Sequence, residues 1–137
     1  MKVSQQGNTV ILEDIKHFNP KHIFECGQCF RWIKQEDDSY TGVAMGKVIN
    51  VKQDGNKIYL DNTTKEDFDN IWYDYFDLGR DYEEMVNTLK VMDEYLEKAT
   101  EFGEGIRILK QDGWEMLISF IISANNRIPM IQRAINN

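Results

Sequence analysis

The chain has few of the residues that characterise secreted, membrane-spanning or metal-stabilised proteins. It contains two cysteines and two prolines among 137 residues, and two cysteines in an intracellular chain need not form a disulfide. The longest apolar stretch, residues 116–124, is far shorter than the roughly 20 residues needed to cross a bilayer. No apolar segment follows Lys2, as a signal peptide would require. The sequence therefore predicts a soluble, unsecreted protein with reduced thiols.

Positive charge is also scarce. The formal net charge is -7, whereas proteins that bind nucleic acids usually present a basic surface. The deficit is local, because residues 61–104 carry 14 acidic and 4 basic side chains. Residues 1–60 carry 7 acidic and 8 basic side chains, and residues 105–137 carry 2 and 4. A phosphate-binding surface formed by the first or the last segment is therefore not excluded.

The first half of the chain contains short runs of β-branched and aromatic residues separated by turn-forming residues. Hydrophobic residues make up 42% of the sequence and aromatic residues 12%, which suffices for a core and excludes a disordered chain. Strands are predicted over residues 8–14, 29–35, 40–45, 48–53 and 57–61. Because Asp54-Gly55 is a strong hairpin signal, we expect an antiparallel sheet of about four or five strands.

Helical signals interrupt and follow this sheet. Asn19 and Pro20 predict the cap and the first turn of a short helix over residues 20–25. Thr63 and Glu66 form a capping-box pattern ahead of apolar residues at helical spacing. Further helices are predicted over residues 81–92, 93–102 and 127–137, and from residue 112 onward. The order of strands and helices predicts an α+β fold.

Two motifs carry a more specific signal than this order of elements. They are Gly27-Gln28-Cys29-Phe30-Arg31-Trp32 and Ser123-Ala124-Asn125-Asn126-Arg127-Ile128. Taken alone, the first motif is a glycine turn that leads into a strand, and the paired asparagines of the second end a helix. Between them, the run Gly105-Ile106-Arg107-Ile108-Leu109-Lys110-Gln111-Asp112 leads into an apolar helix. Together these segments resemble the 8-oxoguanine DNA glycosylases of the helix-hairpin-helix superfamily.

The resemblance implies a fold, a function and a partner. Residues 1–104 would form an antiparallel sheet with helices, similar to half of a TATA-binding protein, and residues 105–137 would begin a helical catalytic domain. The function would be that of a DNA glycosylase and abasic-site lyase that flips out and excises oxidised guanine in base excision repair. Because alanine is scarce and isoleucine, asparagine and lysine are abundant, we expect a bacterial, cytoplasmic protein. It would be a monomer that binds double-stranded DNA containing 8-oxoguanine, with no membrane, metal or cofactor.

By the family's pattern, the first motif reads the lesion. The backbone carbonyl of Gly27 would accept a hydrogen bond from the N7 hydrogen of 8-oxoguanine, which normal guanine lacks. A side chain at this position would obstruct the approach of the base. Gln28 and Phe30 would shape the pocket, and Arg31 and Trp32 would hold the strand in place.

The second motif would contact the base opposite the lesion. Asn125 corresponds to the asparagine that enters the vacated space and hydrogen-bonds the orphaned cytosine, a task suited to an amide. Arg127 would contribute to the same DNA-binding surface. Met130 departs from the family's pattern, because many members have an arginine there that also contacts the cytosine. Since methionine cannot donate a hydrogen bond, we expect a weaker preference for cytosine opposite the lesion.

No catalytic residue is assigned within this chain. The family's nucleophilic lysine, its aspartate and the helix-hairpin-helix that binds phosphate would all follow Asn137. Lys110 does not replace that lysine, because it precedes the apolar helix instead of ending a helix-hairpin-helix. We therefore expect no turnover by the isolated chain.

Three other features of the sequence have simpler explanations. His22, Cys26 and Cys29 have spacings that could suggest a zinc site, but zinc usually needs four ligands and only the distant His17 could complete the set. The two cysteines also have the spacing of a redox pair, but such a pair needs a helix N-terminus and not the start of a strand. The aromatic cluster at residues 72–76 and the glutamates at residues 83–104 are most simply a core and a solvated surface. The metal candidates are His17, His22, Cys26 and Cys29. Alternative functions are an alkylated-base DNA glycosylase and a non-catalytic module that binds DNA or protein.

Overall fold

Six strands form one antiparallel sheet in the part of the chain that the computed structural model describes, which is residues 1–111, 113, 116, 133 and 135. The order of the strands across the sheet is β1-β2-β6-β5-β4-β3. Their bounds are β1 (Lys2–Gln6), β2 (Thr9–Glu13), β3 (Trp32–Lys34), β4 (Tyr40–Ala44), β5 (Lys47–Asp54) and β6 (Lys57–Asp61). The predicted α+β class with an antiparallel sheet is confirmed.

The helices begin where short polar side chains can bind free backbone N–H groups. Asn19 accepts a hydrogen bond from the backbone of His22 over 3.4 Å, and Asp81 accepts one from Glu84 over 3.0 Å. Such caps satisfy amides that lack a partner within the helix. The helices are α1 (Pro20–Glu25), α2 (Lys65–Asp67), α3 (Tyr73–Tyr75), α4 (Tyr82–Met92) and α5 (Glu94–Phe102). A π-helical turn, Phe68–Trp72, joins α2 to α3.

The core lies between one face of the sheet and the helices packed on it. Alternate residues of the central strands point into it, as the two-residue period of a strand requires. Ile23 and Phe24 of α1 are buried against this face, and Phe24 stacks on Trp32 with ring centres 4.1 Å apart. The strand residues are Val10, Leu12, Tyr40, Ala44, Ile49, Val51, Ile58 and Leu60.

The aromatic cluster after β6 belongs to this core, as its helical spacing predicts. Trp72, Tyr75 and Phe76 are buried, whereas Tyr73 is partly exposed. The polar atoms of the buried rings have partners: the indole N–H of Trp72 donates to Thr63 Oγ1 over 3.0 Å, and that of Trp32 donates to Tyr75 Oη over 3.1 Å. These bonds offset the cost of burying the polar ends of large rings.

Three details of the sequence-based prediction are wrong. The sheet has six strands instead of four or five, because β1 is a mostly exposed edge strand that lacks apolar alternation. The strand predicted over residues 29–35 is confined to Trp32–Lys34. The cap of α2 is Thr64, not Thr63, since Thr64 Oγ1 accepts from the backbone of Asp67 while Thr63 is buried beneath Trp72.

Helices α4 and α5 follow each other directly, with Asp93 between them, and much of their surface is exposed. The glutamates at residues 84, 94, 97, 101 and 104 are exposed, and Glu83 is half-buried and pairs with Lys16 over 2.9 Å. A solvated acidic surface is thus confirmed for this run. Among the described residues, no helix has both the length and the apolar character needed to cross a membrane.

Candidate functional site

The first motif forms a loop, residues 26–31, between α1 and β3, which we call the motif loop. Gly27 adopts a φ of 90°, a conformation that L-amino acids with a side chain rarely occupy. Cys29 and Trp32 are buried and anchor the loop to the core, while Gln28 and Phe30 are half-buried. The backbone of the loop is therefore fixed at its C-terminal end and sharply turned at Gly27.

The side-chain amide of Gln28 joins the motif loop to a distant segment, residues 104–111. Its Nε2 donates to the carbonyl of Arg107 over 2.7 Å and to the carbonyl of Ile23 over 3.0 Å. Its Oε1 accepts from the backbone N–H of Leu109 over 3.0 Å. An amide is required here, because the contact needs a donor and an acceptor on the same group.

Gln111 makes the reciprocal contact. Its side-chain Nε2 donates to the backbone carbonyl of Gln28. Each glutamine thus uses its side chain to bind the main chain of the segment that contains the other. We refer to these hydrogen bonds together as the Gln28–Gln111 clasp.

The N-terminal end of the same segment is packed on α1. The backbone N–H of Asn19 donates to the carbonyl of Gly105 over 2.9 Å, and His22 Nδ1 lies 2.5 Å from the carbonyl oxygen of Glu104. Gly105 has a φ of 81°, and a Cβ there would lie 2.5 Å from the Cβ of Asn19. Only glycine fits this close approach without displacing the cap of α1.

Arg107 anchors the middle of the segment and is only 5% exposed. Its guanidinium donates to the carbonyl of Asp77 over 2.9 Å and to that of Lys16 over 2.7 Å, and it lies 4.5 Å from the ring centre of Tyr82. Burial lowers the pKa of Arg107, while Tyr82 and Asp77 oppose that shift. Its Nε has no hydrogen-bond partner among the described atoms.

Asp77 organises the polar groups beside Arg107. It is almost fully buried, and its carboxylate accepts from Tyr82 Oη over 2.7 Å. Arg80 Nε and Lys110 Nζ approach the same carboxylate at 3.0 and 3.4 Å. Burial, followed by the hydrogen bond to Asp77, raises the pKa of the Tyr82 hydroxyl. Lys110 is thus occupied by a structural ion pair.

The candidate metal ligands are scattered. Cys26 is exposed, Cys29 is buried in the core, and both are free thiols. His22 contacts the backbone of Glu104, as described above. Within the described part of the chain, no three histidine, cysteine or acidic side chains are grouped so that they could hold a metal ion.

The structure brings together Gly27, Gln28 and Phe30 in the motif loop. The other three predicted site residues, Asn125, Arg127 and Met130, lie outside the described residues. Sequence reasoning missed the roles of Arg107 and Gln111. The sequence gives no local signal for Arg107, because the apolar residues Ile106 and Ile108 on either side of it are less buried than Arg107 itself. Gln111 gives no signal because its partner is 83 positions away.

Known proteins similar to this chain were found by sequence and by structure. The family model of the 8-oxoguanine DNA glycosylase N-terminal domain matches residues 10–117. An N-glycosylase/DNA lyase of Saccharomyces cerevisiae is 31% identical over 130 residues, which cover 85% of this chain and 34% of the yeast protein.

Two solved structures are more similar. MBOgg1 in complex with a low-affinity DNA ligand shares 54% identity with a TM-score of 0.92, covering 96% of this chain and 45% of that one. The Clostridium acetobutylicum 8-oxoguanine glycosylase/lyase, bound to double-stranded DNA with cytosine opposite 8-oxoG, shares 48% identity with a TM-score of 0.93 and the same two coverages. This chain therefore spans less than half the length of these relatives.

Proposed function

Because this chain belongs to the family of the 8-oxoguanine DNA glycosylase N-terminal domain, we propose that it is the lesion-reading part of a DNA glycosylase and abasic-site lyase that removes oxidised guanine in base excision repair. The observation that carries the proposal is the motif loop, in which Gly27 is held at a φ of 90° between α1 and β3. Its partner is double-stranded DNA containing 8-oxoguanine. We propose residues 1–104 as its N-terminal domain and residues 105–137 as the start of the catalytic domain.

The loop suits the chemical difference between the lesion and the normal base. N7 of 8-oxoguanine carries a hydrogen, whereas N7 of guanine is an acceptor. A backbone carbonyl at Gly27 accepts a hydrogen bond from the lesion and opposes the lone pair of guanine. Leaving one buried hydrogen bond unmade costs about 1–3 kcal/mol. In our proposal the flipped base meets this carbonyl, and Phe30 contributes to the wall of the pocket.

In this proposal the second motif contacts the base that remains in the duplex after the lesion is flipped out. We propose that Asn125 enters the space of the flipped nucleotide and hydrogen-bonds the orphaned base through its amide. Arg127 would contribute a cation to the same surface, where phosphates are close. With Met130 in place of the family's arginine, one donor to cytosine is lost.

The chemistry itself needs a nucleophile that this chain does not supply. A lysine amine attacks the anomeric carbon of the sugar, the base leaves, and the Schiff base formed permits strand cleavage. We propose that this lysine and the family's aspartate belong to the part of the relatives that these 137 residues do not span, and that the chain alone does not turn over. We further propose that the whole protein is a monomer that acts on DNA in a bacterial cytoplasm.

Two steps test the proposal. The source gene is first read beyond the codon for Asn137, and an open frame that continues into a helix-hairpin-helix, a lysine and an aspartate is expected. A stop codon there would remove the catalytic assignment. The gene product is then incubated with duplexes that contain 8-oxoguanine, an alkylated base or guanine, and borohydride is added to reduce any Schiff base to a stable crosslink.

The expected result is excision and crosslinking with the 8-oxoguanine duplex alone. Release of the alkylated base instead would favour the alternative glycosylase, and salt-dependent DNA binding without excision would favour a non-catalytic module. The variant Lys110→Ala serves as a control, because that amine is held by Asp77 and lies in no proposed catalytic position. It should retain both excision and crosslinking.

A further inference from the structure

The proposed function uses the carbonyl of Gly27 but assigns no role to the hydrogen bonds that Gln28 and Gln111 make beside it. We propose that the Gln28–Gln111 clasp is a positioning device, which sets the direction of the Gly27 carbonyl against the segment that leads to the second motif. This inference rests on the proposed function, because it assigns a role to residues beside the carbonyl that would read the base. Neither glutamine needs to touch the base for this role.

The carbonyl of Gly27 belongs to the planar peptide unit that ends at the N–H of Gln28. Rotation of that unit depends on ψ of Gly27 and φ of Gln28, and glycine alone restricts ψ weakly. The clasp fixes Gln28 at both ends: its side chain binds Ile23, Arg107 and Leu109, and its carbonyl accepts from Gln111. The peptide unit before it therefore has little freedom to turn.

The segment that the clasp binds is itself anchored to the protein. Residues 105–111 are held on the body of the protein, because Arg107 is buried and bound to two carbonyls and Leu109 is 3% exposed. The backbone N–H of Lys110 also donates to the carbonyl of Tyr75 over 2.9 Å. The segment is thus fixed on the body of the protein, and the motif loop is held against it. The clasp therefore joins the motif loop to a segment that is itself anchored to the rest of the protein.

Both Nε2 contacts of Gln28 go to carbonyl oxygens, and so does that of Gln111. Replacing either amide by a carboxylate keeps the size of the side chain but sets a negative oxygen against those carbonyls. Gln28→Glu and Gln111→Glu therefore reverse the clasp, because they replace attractive contacts by repulsive ones without leaving a cavity. Gln35→Glu is the matched control, because the Gln35 amide donates to Ile33 on the exposed surface.

The test separates base excision from strand cleavage in the full gene product. Single-turnover rates are measured on a duplex with 8-oxoguanine and on one with a preformed abasic site, where no base has to be read. We expect Gln28→Glu and Gln111→Glu to lower the excision rate about ten- to a hundredfold, as small misplacements of a binding group do. Cleavage at the abasic site should change by less than about twofold, and Gln35→Glu should leave both rates unchanged.

Each other outcome overturns the inference. Unchanged excision in both variants would show that the clasp does not position the carbonyl, and an equal fall of both rates would show a general structural role. Gln111→Ala keeps the test decisive if a reversed clasp prevents folding, because it removes one hydrogen bond from a half-buried carbonyl. It should lower excision selectively as well. Absence of excision by the unmodified protein would instead overturn the proposed function itself.

Discussion

Trp32 packs its indole directly over Gly42, its partner across the β3–β4 pair. A Cβ added to Gly42 would lie 2.2 Å from Cδ2 of Trp32, which is far closer than two carbon atoms that are not bonded to each other can approach. The indole also stacks on Phe24, with ring centres 4.1 Å apart. Because Trp32 follows the motif loop directly, these contacts fix the end of the loop.

Gly42→Ala should therefore destabilise the protein. The indole is buried and stacked on Phe24, so it has little room to move away from an added methyl group, and overpacking of this kind costs about 1–3 kcal/mol. The free energy of unfolding is measured by urea denaturation. Gly79→Ala is the control, because a Cβ there would come no closer than 3.4 Å, to Tyr73 Oη. Equal stability of the two variants would contradict the packing argument.

Arg107 provides a second test of stability. Arg107→Met keeps much of the apolar stem but leaves the carbonyls of Asp77 and Lys16 without their donors. Since both bonds involve a buried cation, we expect a loss of about 3 kcal/mol in the free energy of unfolding. Arg80→Met removes an ion pair to the same Asp77 from a side chain that is 58% exposed, and it should cost less than about 1 kcal/mol. Similar losses in both variants would refute the anchoring role of Arg107.

Most of the fold was accessible from the sequence because its signals are local. Asn19 before Pro20, and Asp54-Gly55 between β5 and β6, each specify a turn or cap through residues a few positions apart. Edge strand β1 was missed because pairing with β2, and not burial, holds it in the sheet. The choice of Thr64 over Thr63 depended on Trp72, whose indole uses the hydroxyl of Thr63.

The candidate site was only partly accessible for the same reason. Gly27 could be singled out through a motif, and its positive φ agrees with a need for glycine. The groups that hold its loop could not, because Gln28 meets Arg107 and Gln111 across about 80 residues of sequence. Contacts of that separation depend on the completed sheet and on α1, and no short pattern encodes them.

The hydrogen bond between Tyr40 and Glu25 should make the free energy of unfolding depend on pH in the alkaline range. Burial, and then the Glu25 carboxylate, raise the pKa of the Tyr40 hydroxyl above its usual value of 10.0. The unfolded chain therefore loses this proton first as pH rises. The stabilising contribution is fully present below pH 10 and declines above it.

The variant Tyr40→Phe removes that dependence. Its free energy of unfolding should fall less steeply than that of the unmodified chain as pH rises above 10, while at pH 7 it should be about 1 kcal/mol lower because one hydrogen bond is missing. Unfolding is followed by urea titration at several pH values. Tyr95→Phe is the control, since that ring is 83% exposed. If the free energy of unfolding falls with pH as steeply in Tyr40→Phe as in the unmodified chain, this explanation is wrong.

Met130 offers a prediction about the base opposite the lesion. Because methionine cannot donate to cytosine, the full protein should discriminate weakly between cytosine and the other bases opposite 8-oxoguanine, and Met130→Arg should restore a donor. A well-placed arginine contact is worth about 1–3 kcal/mol of discrimination. The ratio of single-turnover excision rates opposite cytosine and opposite adenine should therefore rise about tenfold in Met130→Arg. Met45→Arg places the same charge at the β4–β5 turn and should leave the ratio unchanged. Strict cytosine dependence of the unmodified protein, or an equal rise in both variants, would show that residue 130 does not set this preference.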